Sequence, residues 1–143
     1  MADPPLDTPL STAASAVGDR WSLLLVDALL SGPRTFGELE DRVAGISPNV
    51  LSARLKSLAA DDLVLATPYS QRPLRYSYEL TERGADLRPA LRMLSSWAAR
   101  HSAGAASAPG DRHEVCGSQL TARVWCPTCD VAVDDDATND IEL

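Results

Sequence analysis

Apolar residues recur at spacings of three and four in several stretches of the chain, which is the spacing of one helical face. Three prolines within the first nine residues keep regular helix from starting early, so residues 1–10 are predicted to form an arm. Ser11 to Val17 is predicted to be a short helix that Gly18 ends. A second helix with the sequence RWSLLLVDALL follows. Its predicted inward residues are Trp21, Leu24, Leu25, Ala28 and Leu29.

Two further helices are predicted before residue 62. Thr35 is suited to cap a helix with the sequence FGELEDRV, because Glu38 completes a capping box three residues later. Ser47 followed by Pro48 has the form of an N-cap and a first helical position, and this fourth helix is predicted to end near Asp61. The predicted inward residues of the two helices are Phe36, Leu39, Val43, Leu51, Leu55 and Leu58.

The pattern then changes to two short segments, LVLATPY and LRYSYEL, which are rich in β-formers. The polar and basic sequence Ser70-Gln71-Arg72-Pro73 joins them, so they are predicted to form a hairpin with a basic tip. Thr81 is predicted to cap a long last helix that ends near His101, with a kink or break near Arg88 because Pro89 interrupts it. The fold class is therefore mainly α with a small antiparallel hairpin, in the order of a winged helix-turn-helix.

Length and composition favour one main domain at residues 11–101. A linker at residues 102–110, SAGAASAPG, leads to a cysteine-containing segment at residues 111–134 and an acidic tail at residues 135–143 that is predicted to be disordered. No stretch approaches the roughly 20 apolar residues of a membrane span, and the N-terminus lacks the features of a signal peptide. A cytoplasmic protein with no membrane partner is expected.

The formal net charge of −7 argues, taken alone, against a nucleic-acid partner. Its distribution along the chain changes this picture. Residues 33–92 carry nine Arg or Lys against eight Asp or Glu, whereas residues 130–143 carry six acids and no base. The acidity belongs largely to the tail, and the predicted helix-turn-helix is about neutral.

At the residue level, about Leu10 to His101 resembles the HxlR family of bacterial transcriptional regulators, which is related to the MarR-like group. The resemblance is carried by GDRW, RTFGELEDRVAGIS, LSARLKSL and the LTERG that opens the last helix. It implies a sequence-specific regulator whose fourth helix enters the major groove of double-stranded operator DNA while the hairpin wing reaches a neighbouring minor groove or the backbone. Repression is the favoured mode of action.

The residues of the fourth helix and the wing suit that role. Asn49 and Ser52 can hydrogen-bond base edges, and Lys56 can reach phosphates or guanine. The candidate DNA-binding residues are Ser47, Asn49, Ser52, Ala53, Arg54, Lys56, Arg72 and Arg75. The alternative is a solvated helix face and an ordinary hairpin, and Arg54 has the further alternative of pairing with an acid such as Glu38 or Asp41.

The resemblance also implies a homodimer held by its terminal helices, because two half-sites of a pseudo-palindromic operator require two recognition helices about 34 Å apart. The candidate interface residues are Leu10, Ala14, Val17, Leu91, Leu94, Trp97 and Ala98. The alternative is that all of them belong to the intramolecular core. Many family members carry a cysteine at the position of Thr8, so a thiol switch there is not expected in this chain; a small-molecule effector stays open.

All three cysteines lie near the C-terminus, in the sequence HEVCGSQLTARVWCPTC. His113-x2-Cys116, a nine-residue loop and Cys126-x2-Cys129 supply four ligands of the types that form structural zinc sites. A zinc-ribbon-like module is therefore predicted, with a short hairpin at about Gln119 to Trp125.

Alternatives stay open for this segment. Cys126 and Cys129 alone would form a redox-active thiol pair, and the fourth ligand would be water or a carboxylate such as Asp111 if His113 belonged to the linker. For the whole chain, the alternative function is a winged-helix module that binds other proteins. An enzyme is not expected, because four protein ligands close the zinc coordination sphere and no general-base motif accompanies them.

Overall fold

A computed structural model of the chain describes residues 8–101, 112–118, 120–121 and 123–133. The arm up to residue 7, the linker at residues 102–110 and the tail at residues 135–143 lie outside the described residues. The chain divides into two compact units, Met1–Arg88 and Pro89–Leu143. The helices are α1 Pro9–Val17, α2 Arg20–Leu29, α3 Phe36–Arg42, α4 Pro48–Ala60, α5 Glu82–Ala85 and α6 Arg88–His101. The strands are β1 Arg34–Thr35, β2 Val64–Gln71, β3 Leu74–Leu80, β4 Val124–Cys126 and β5 Val131–Val133.

Helix α1 begins at Pro9, so the prediction that helix starts at Ser11 was wrong by two residues. Thr8 is the N-cap, and its hydroxyl oxygen accepts a hydrogen bond from the Ser11 backbone N–H at 3.1 Å. The Ser11 side chain in turn accepts from the Thr8 N–H, which completes a capping box. Pro9 is tolerated because the N–H at the first helical position has no intrahelical partner.

The core of the first unit lies where α2, α3 and α4 meet the sheet. Helix α2 contributes more to it than its predicted stripe indicated, since Val26 and Ser22 are also buried while Leu24 is 40% exposed. Strand β3 packs against α2, and β2 packs against α4. The most deeply buried apolar side chains are Leu25, Val26, Leu39, Leu51 and Leu58.

The predicted capping box of α3 is confirmed, because the Thr35 N–H donates to the Glu38 carboxylate at 2.7 Å and the Glu38 N–H to the Thr35 hydroxyl. The Thr35 N–H and then the Thr35 hydroxyl, which both donate to the Glu38 carboxylate, lower the pKa of Glu38 from its ordinary value, with a smaller effect from Arg34. The turn between α3 and α4 buries Val43 and Ile46 beneath it. Buried apolar side chains thus hold the turn between α3 and α4 against the core.

The predicted hairpin is confirmed as β2 and β3, which pair antiparallel with a register shift between Pro68 and Ser70. A third strand, β1, pairs with β3 and gives the strand order β1-β3-β2. The two residues of β1 are too few to produce a period in the sequence. Among the described residues, no helix is long and apolar enough to cross a membrane.

The predicted long last helix is broken at the expected place. Helix α5 ends at Ala85, and α6 begins at Arg88, one residue before Pro89. In the second unit, β4 pairs with β5 from Val124↔Val133 to Cys126↔Val131. The predicted hairpin at Gln119 to Trp125 was therefore wrong in position, because the Cys126–Cys129 turn itself connects the paired strands and Gln119 lies outside the described residues.

The LTERG sequence ties α5 to the end of the α4–β2 connection. The Thr81 hydroxyl donates to the Asp62 carbonyl at 2.7 Å and accepts from the Gly84 N–H at 3.0 Å, while the Thr81 N–H donates to the Leu63 carbonyl at 3.1 Å. Gly84 is buried, and a methyl group on its Cα would overlap the Leu63 carbonyl oxygen. The backbone approach at this point requires glycine.

We therefore expect Gly84→Ala to lower the free energy of unfolding by about 1–3 kcal/mol, because backbone has to move to admit the methyl group. The matched control is Gly37→Ala in α3, where an added Cβ meets no atom within 4 Å. That change is expected to be neutral or to stabilise by up to about 1 kcal/mol. Urea unfolding followed by circular dichroism measures both; equal effects of the two changes would contradict the argument.

Candidate nucleic-acid interface

The outward face of α4 is polar. Burial of its leucines turns the opposite side of the helix to solvent, and there Asn49, Ala53 and Lys56 are exposed. Ser52 is half-buried at the edge of this face. We call Ser47, Asn49, Ser52, Ala53 and Lys56 the α4 face. It offers an amide, two hydroxyls and one cation, and no acidic side chain.

The start of α4 lies at one end of this face. Ser47 is exposed and caps the helix by accepting from the Val50 N–H at 3.4 Å, and Pro48 occupies the first helical position. The first turn of a 13-residue helix carries the positive end of the helix dipole and N–H groups without intrahelical partners. A phosphate oxygen is a natural ligand for such a position.

Arg54 lies beside the α4 face and is engaged by an acid that the sequence analysis did not name. Its Nε lies 3.4 Å from the Asp19 carboxylate, with side chains 41% and 33% exposed respectively. The alternative that Arg54 pairs with an acid is confirmed, but the acid is Asp19 and not Glu38 or Asp41. The sequence does indicate that Asp19 caps α2, because it stands directly before RWSLLL, but it does not indicate that the same carboxylate reaches Arg54.

Asp19 joins two helices through one carboxylate. Its Oδ1 accepts from the N–H groups of Trp21 and Ser22 at 3.0 and 3.1 Å, which caps α2, and it also faces Arg54 on α4. Burial by itself raises the pKa of Asp19, but the hydrogen bonds from Ser22 and Trp21 and the charge of Arg54 outweigh it, so the pKa lies below its ordinary value. Arg54 therefore positions α4 on α2.

The wing supplies the remaining candidate charges. Arg72 lies in the turn between β2 and β3, and Arg75 lies opposite Ser70 at the start of β3. Both arginines are exposed, and residues 70–75 contain no acid. The tip of the wing is therefore a solvent-exposed positive patch.

A cavity of about 410 Å³ opens between the wing and the start of α3. Burial, and then the neighbouring Tyr76, raise the pKa of Tyr78 in its wall. The rings of Tyr76 and Tyr78 lie 6.5 Å apart between centroids. The cavity is lined by Thr35, Phe36, Gly37, Tyr69, Leu74, Arg75, Tyr76 and Tyr78.

The candidate dimer residues divide into two groups by exposure. Leu10, Leu94 and Trp97 are 78%, 51% and 59% exposed, which is unusual for large apolar side chains. Ala14 is exposed and Ala98 half-buried. Val17 and Leu91 do not fit the expected interface. They are only 7% and 8% exposed in the single chain and have little surface left for a second copy to cover.

The candidate metal ligands form two separate pairs, one in each of two turns. His113 Nδ1 lies 3.2 Å from Cys116 Sγ, and Cys126 and Cys129 lie at the two ends of the turn that connects β4 and β5. Hydrogen bonds from the Ser118 hydroxyl and then its N–H lower the pKa of Cys116; the N–H groups of Cys129 and then Thr128 lower that of Cys126. Within the described ranges, no three His, Cys, Asp or Glu side chains are placed to hold one metal ion.

Three helices on a small antiparallel sheet, with a polar outward helix and a basic wing, define a DNA-binding protein of the winged helix-turn-helix class. The chain belongs to the HxlR-like helix-turn-helix family, whose profile matches residues 16–105. It is accordingly a DNA-binding transcriptional regulator, as the resemblance of its GDRW and LTERG sequences implied.

Relatives agree with this assignment. An HTH-type transcriptional regulator of Mycobacterium tuberculosis is 37% identical over 118 residues, which cover 82% of this chain and 74% of the relative. The HTH-type transcriptional regulator YodB of Bacillus subtilis is 32% identical over 89 residues, which cover 62% of this chain and 80% of YodB.

Solved structures give the same fold. The redox regulator HypR in its oxidised form matches with a TM-score of 0.62 and 26% identity, over 67% of this chain and 99% of HypR. The crystal structure of the protein PA1607 matches with a TM-score of 0.76 over 93% of each chain. The likeness to PA1607, at 24% sequence identity, concerns the fold alone.

The Asp19 carboxylate caps α2 and pairs with Arg54. We expect Asp19→Ala to lower the free energy of unfolding at neutral pH by about 1–2 kcal/mol, since it leaves two α2 N–H groups uncapped. Asp19→Asn keeps a capping oxygen and loses only the charge, so its cost is smaller. Because the pKa of Asp19 is depressed in the folded chain, the contribution of its charge is present above its ordinary value of 3.8 and disappears as the pH falls through the folded pKa.

Urea unfolding from pH 7 to pH 3 measures this effect as the difference between the unaltered chain and Asp19→Asn. The matched control is Asp27→Asn, which neutralises an exposed carboxylate on the same helix and should cost less than about 0.5 kcal/mol. A difference that stays constant over this pH range would show that the Asp19 charge contributes nothing to stability.

Proposed function

We propose that the chain is a sequence-specific repressor that binds operator DNA with the α4 face in the major groove and the wing against an adjacent minor groove or phosphate backbone. The observation that carries this proposal is the composition of the outward side of α4, which presents Asn49, Ser52 and Lys56 without an acidic neighbour on that face. A face of this kind combines hydrogen-bonding groups for base edges with a cation for phosphate.

The proposal gives the side chains different tasks. Asn49 reads adenine or another base edge near the start of α4, where an amide has both a donor and an acceptor to offer. Ser47, at the N-cap, and Lys56, about two and a half turns further along, bind phosphates on either side of the groove. Arg72 and Arg75 anchor the wing, while Arg54 acts through Asp19 by positioning α4.

We further propose that the chain acts as a homodimer on a pseudo-palindromic operator. The support is the exposure of Leu10, Leu94 and Trp97, which a single chain in water leaves uncovered at a cost of roughly 25 cal/mol per Å² of apolar surface. A second copy of the chain can cover these side chains and bring a second α4 to the next turn of the duplex. Repression then follows from occupancy of the promoter by the bound dimer.

The rival function, a winged-helix module that binds another protein, is favoured by the net charge of −7. It predicts no DNA binding that survives non-specific competitor. The two functions are therefore separated by the DNA-binding experiment itself.

In that experiment, duplexes selected from a random library by the full chain are labelled, and affinity is measured by fluorescence anisotropy over a salt series. Asn49→Ala is expected to weaken binding of the selected duplex about 5- to 150-fold, which corresponds to about 1–3 kcal/mol, and to relax preference at one position. Lys56→Ala is expected to weaken selected and non-specific duplexes alike and to reduce the salt slope by about 1.

The matched control is Arg83→Ala, which removes an exposed arginine on α5, outside the α4 face and the wing. It should leave affinity for the selected duplex and the salt slope unchanged. If the library yields no duplex that binds in the presence of competitor, the protein-binding function takes the place of the proposed one.

For the dimer, we expect the unaltered chain to sediment as a dimer and Trp97→Glu to sediment as a monomer, because an unpaired carboxylate would have to be buried in the interface. Ser95→Glu, on an exposed position of the same helix, is the matched control and should remain dimeric. Analytical ultracentrifugation over a concentration series measures this. A monomer for the unaltered chain, or a dimer for Trp97→Glu, would contradict the proposed interface.

A further inference from the structure

The cysteine-containing segment has a regular backbone without the apolar core that normally supports one. In the described part of residues 112–133, every residue is exposed except Cys126 and Val133, which are half-buried. Val115, Trp125 and Val131 are 87%, 55% and 51% exposed. A segment of this size cannot be held in two tight turns by burial of apolar surface, so another interaction must stabilise it.

We propose that His113, Cys116, Cys126 and Cys129 together bind one structural zinc ion, and that this ion is what orders the segment. The inference is independent of DNA binding, which belongs to the first unit of the chain. It rests on the form of the two turns that carry the four side chains.

The first turn presents a histidine and a cysteine side by side. The Gly117 N–H donates to the His113 carbonyl at 2.8 Å, and the His113 N–H donates to the Ser118 carbonyl at 2.8 Å, so residues 113–118 form a closed loop. Gly117 has a φ of 68°, a conformation that favours glycine. This loop holds His113 Nδ1 and Cys116 Sγ 3.2 Å apart, a hydrogen-bonding distance that a small movement would open to the roughly 3.6 Å between a nitrogen and a sulfur ligand on one tetrahedral zinc ion.

The second turn presents the other two thiols. Strands β4 and β5 bring Cys126 opposite Val131, and the Asp130 N–H donates to the Cys126 carbonyl at 2.9 Å, with Asp130 at a φ of 58°. The Cys126-x2-Cys129 spacing places both thiols in this one turn, which is the spacing of paired thiolate ligands in structural zinc sites.

Each turn therefore supplies two ligands, and a structural zinc site needs four. In the described residues the two pairs do not form one cluster, so binding must bring the turns together around the ion. The three thiols release their protons to solvent when zinc binds, and folding of the segment is coupled to metal binding. Four protein ligands leave no open position on the ion, which makes the role structural.

The test uses the full chain, expressed with zinc and purified under reducing conditions, with its metal content measured by inductively coupled plasma mass spectrometry. About one zinc per chain is expected, falling to near none in Cys116→Ser and in Cys126→Ser. The matched control is His101→Asn, which changes the other histidine of the chain and should retain the metal. His113→Asn should weaken zinc binding at least tenfold in a competition with a chelator.

A second measurement is independent of how the variants fold. Amide hydrogen exchange across residues 112–133 should slow at least tenfold when zinc is added to the metal-free, reduced chain, while exchange across α2 and α4 stays unchanged. Absence of zinc from the reduced chain together with unchanged exchange overturns the proposal. Full zinc affinity in His113→Asn overturns the four-ligand assignment. If the purified chain contains a Cys126–Cys129 disulfide and still binds no zinc after that disulfide is reduced, the zinc proposal is overturned in favour of a redox-active thiol pair.

Discussion

Burial of Leu51, Leu55 and Leu58 fixes the rotation of α4 about its own axis, and the DNA-binding surface that we propose depends on that rotation. These side chains pack where α4 meets α2 and β2. Each leucine removed from water contributes on the order of 1.5–3 kcal/mol, so turning another face inward would be strongly unfavourable. The apolar stripe thereby decides that Asn49, Ala53 and Lys56 face outward, although within the described residues none of these three side chains makes a hydrogen bond or ion pair.

Rotation alone does not set the place of α4 relative to the other helices, and here the polar residues of the GDRW sequence contribute. Asp19 satisfies two N–H groups at the start of α2 and faces Arg54 in the middle of α4. An exposed ion pair by itself adds less than about 1 kcal/mol, but this carboxylate is already held by its capping bonds and loses little further freedom by pairing. The result is a defined distance between the two helices near the α4 face.

Local signals in the sequence predicted much of this fold, because they act within four residues. The Thr35 and Glu38 capping box, the Ser47 and Pro48 start of α4 and the break before Pro89 all appear as expected. Contacts distant in sequence were missed. The partner of Arg54 lies 35 positions away (54 minus 19), and β1 is defined only by its pairing with β3. The need for glycine at position 84 likewise arises from the Leu63 carbonyl, which no periodicity reveals.

The net charge of −7 is compatible with a DNA-binding role because electrostatic interactions at a protein surface are local. At physiological ionic strength the Debye length is about 8 Å, so charges further than this from a phosphate are largely screened. The acid-rich residues from position 130 onward are distant in the sequence from α4 and the wing. What a phosphate near α4 meets first is Lys56, the start of the helix and the arginines of the wing, and this local balance is positive. In the proposed complex, overall acidity would limit non-specific attraction at long range, while the contacts of Lys56 and the wing arginines would remain favourable after docking.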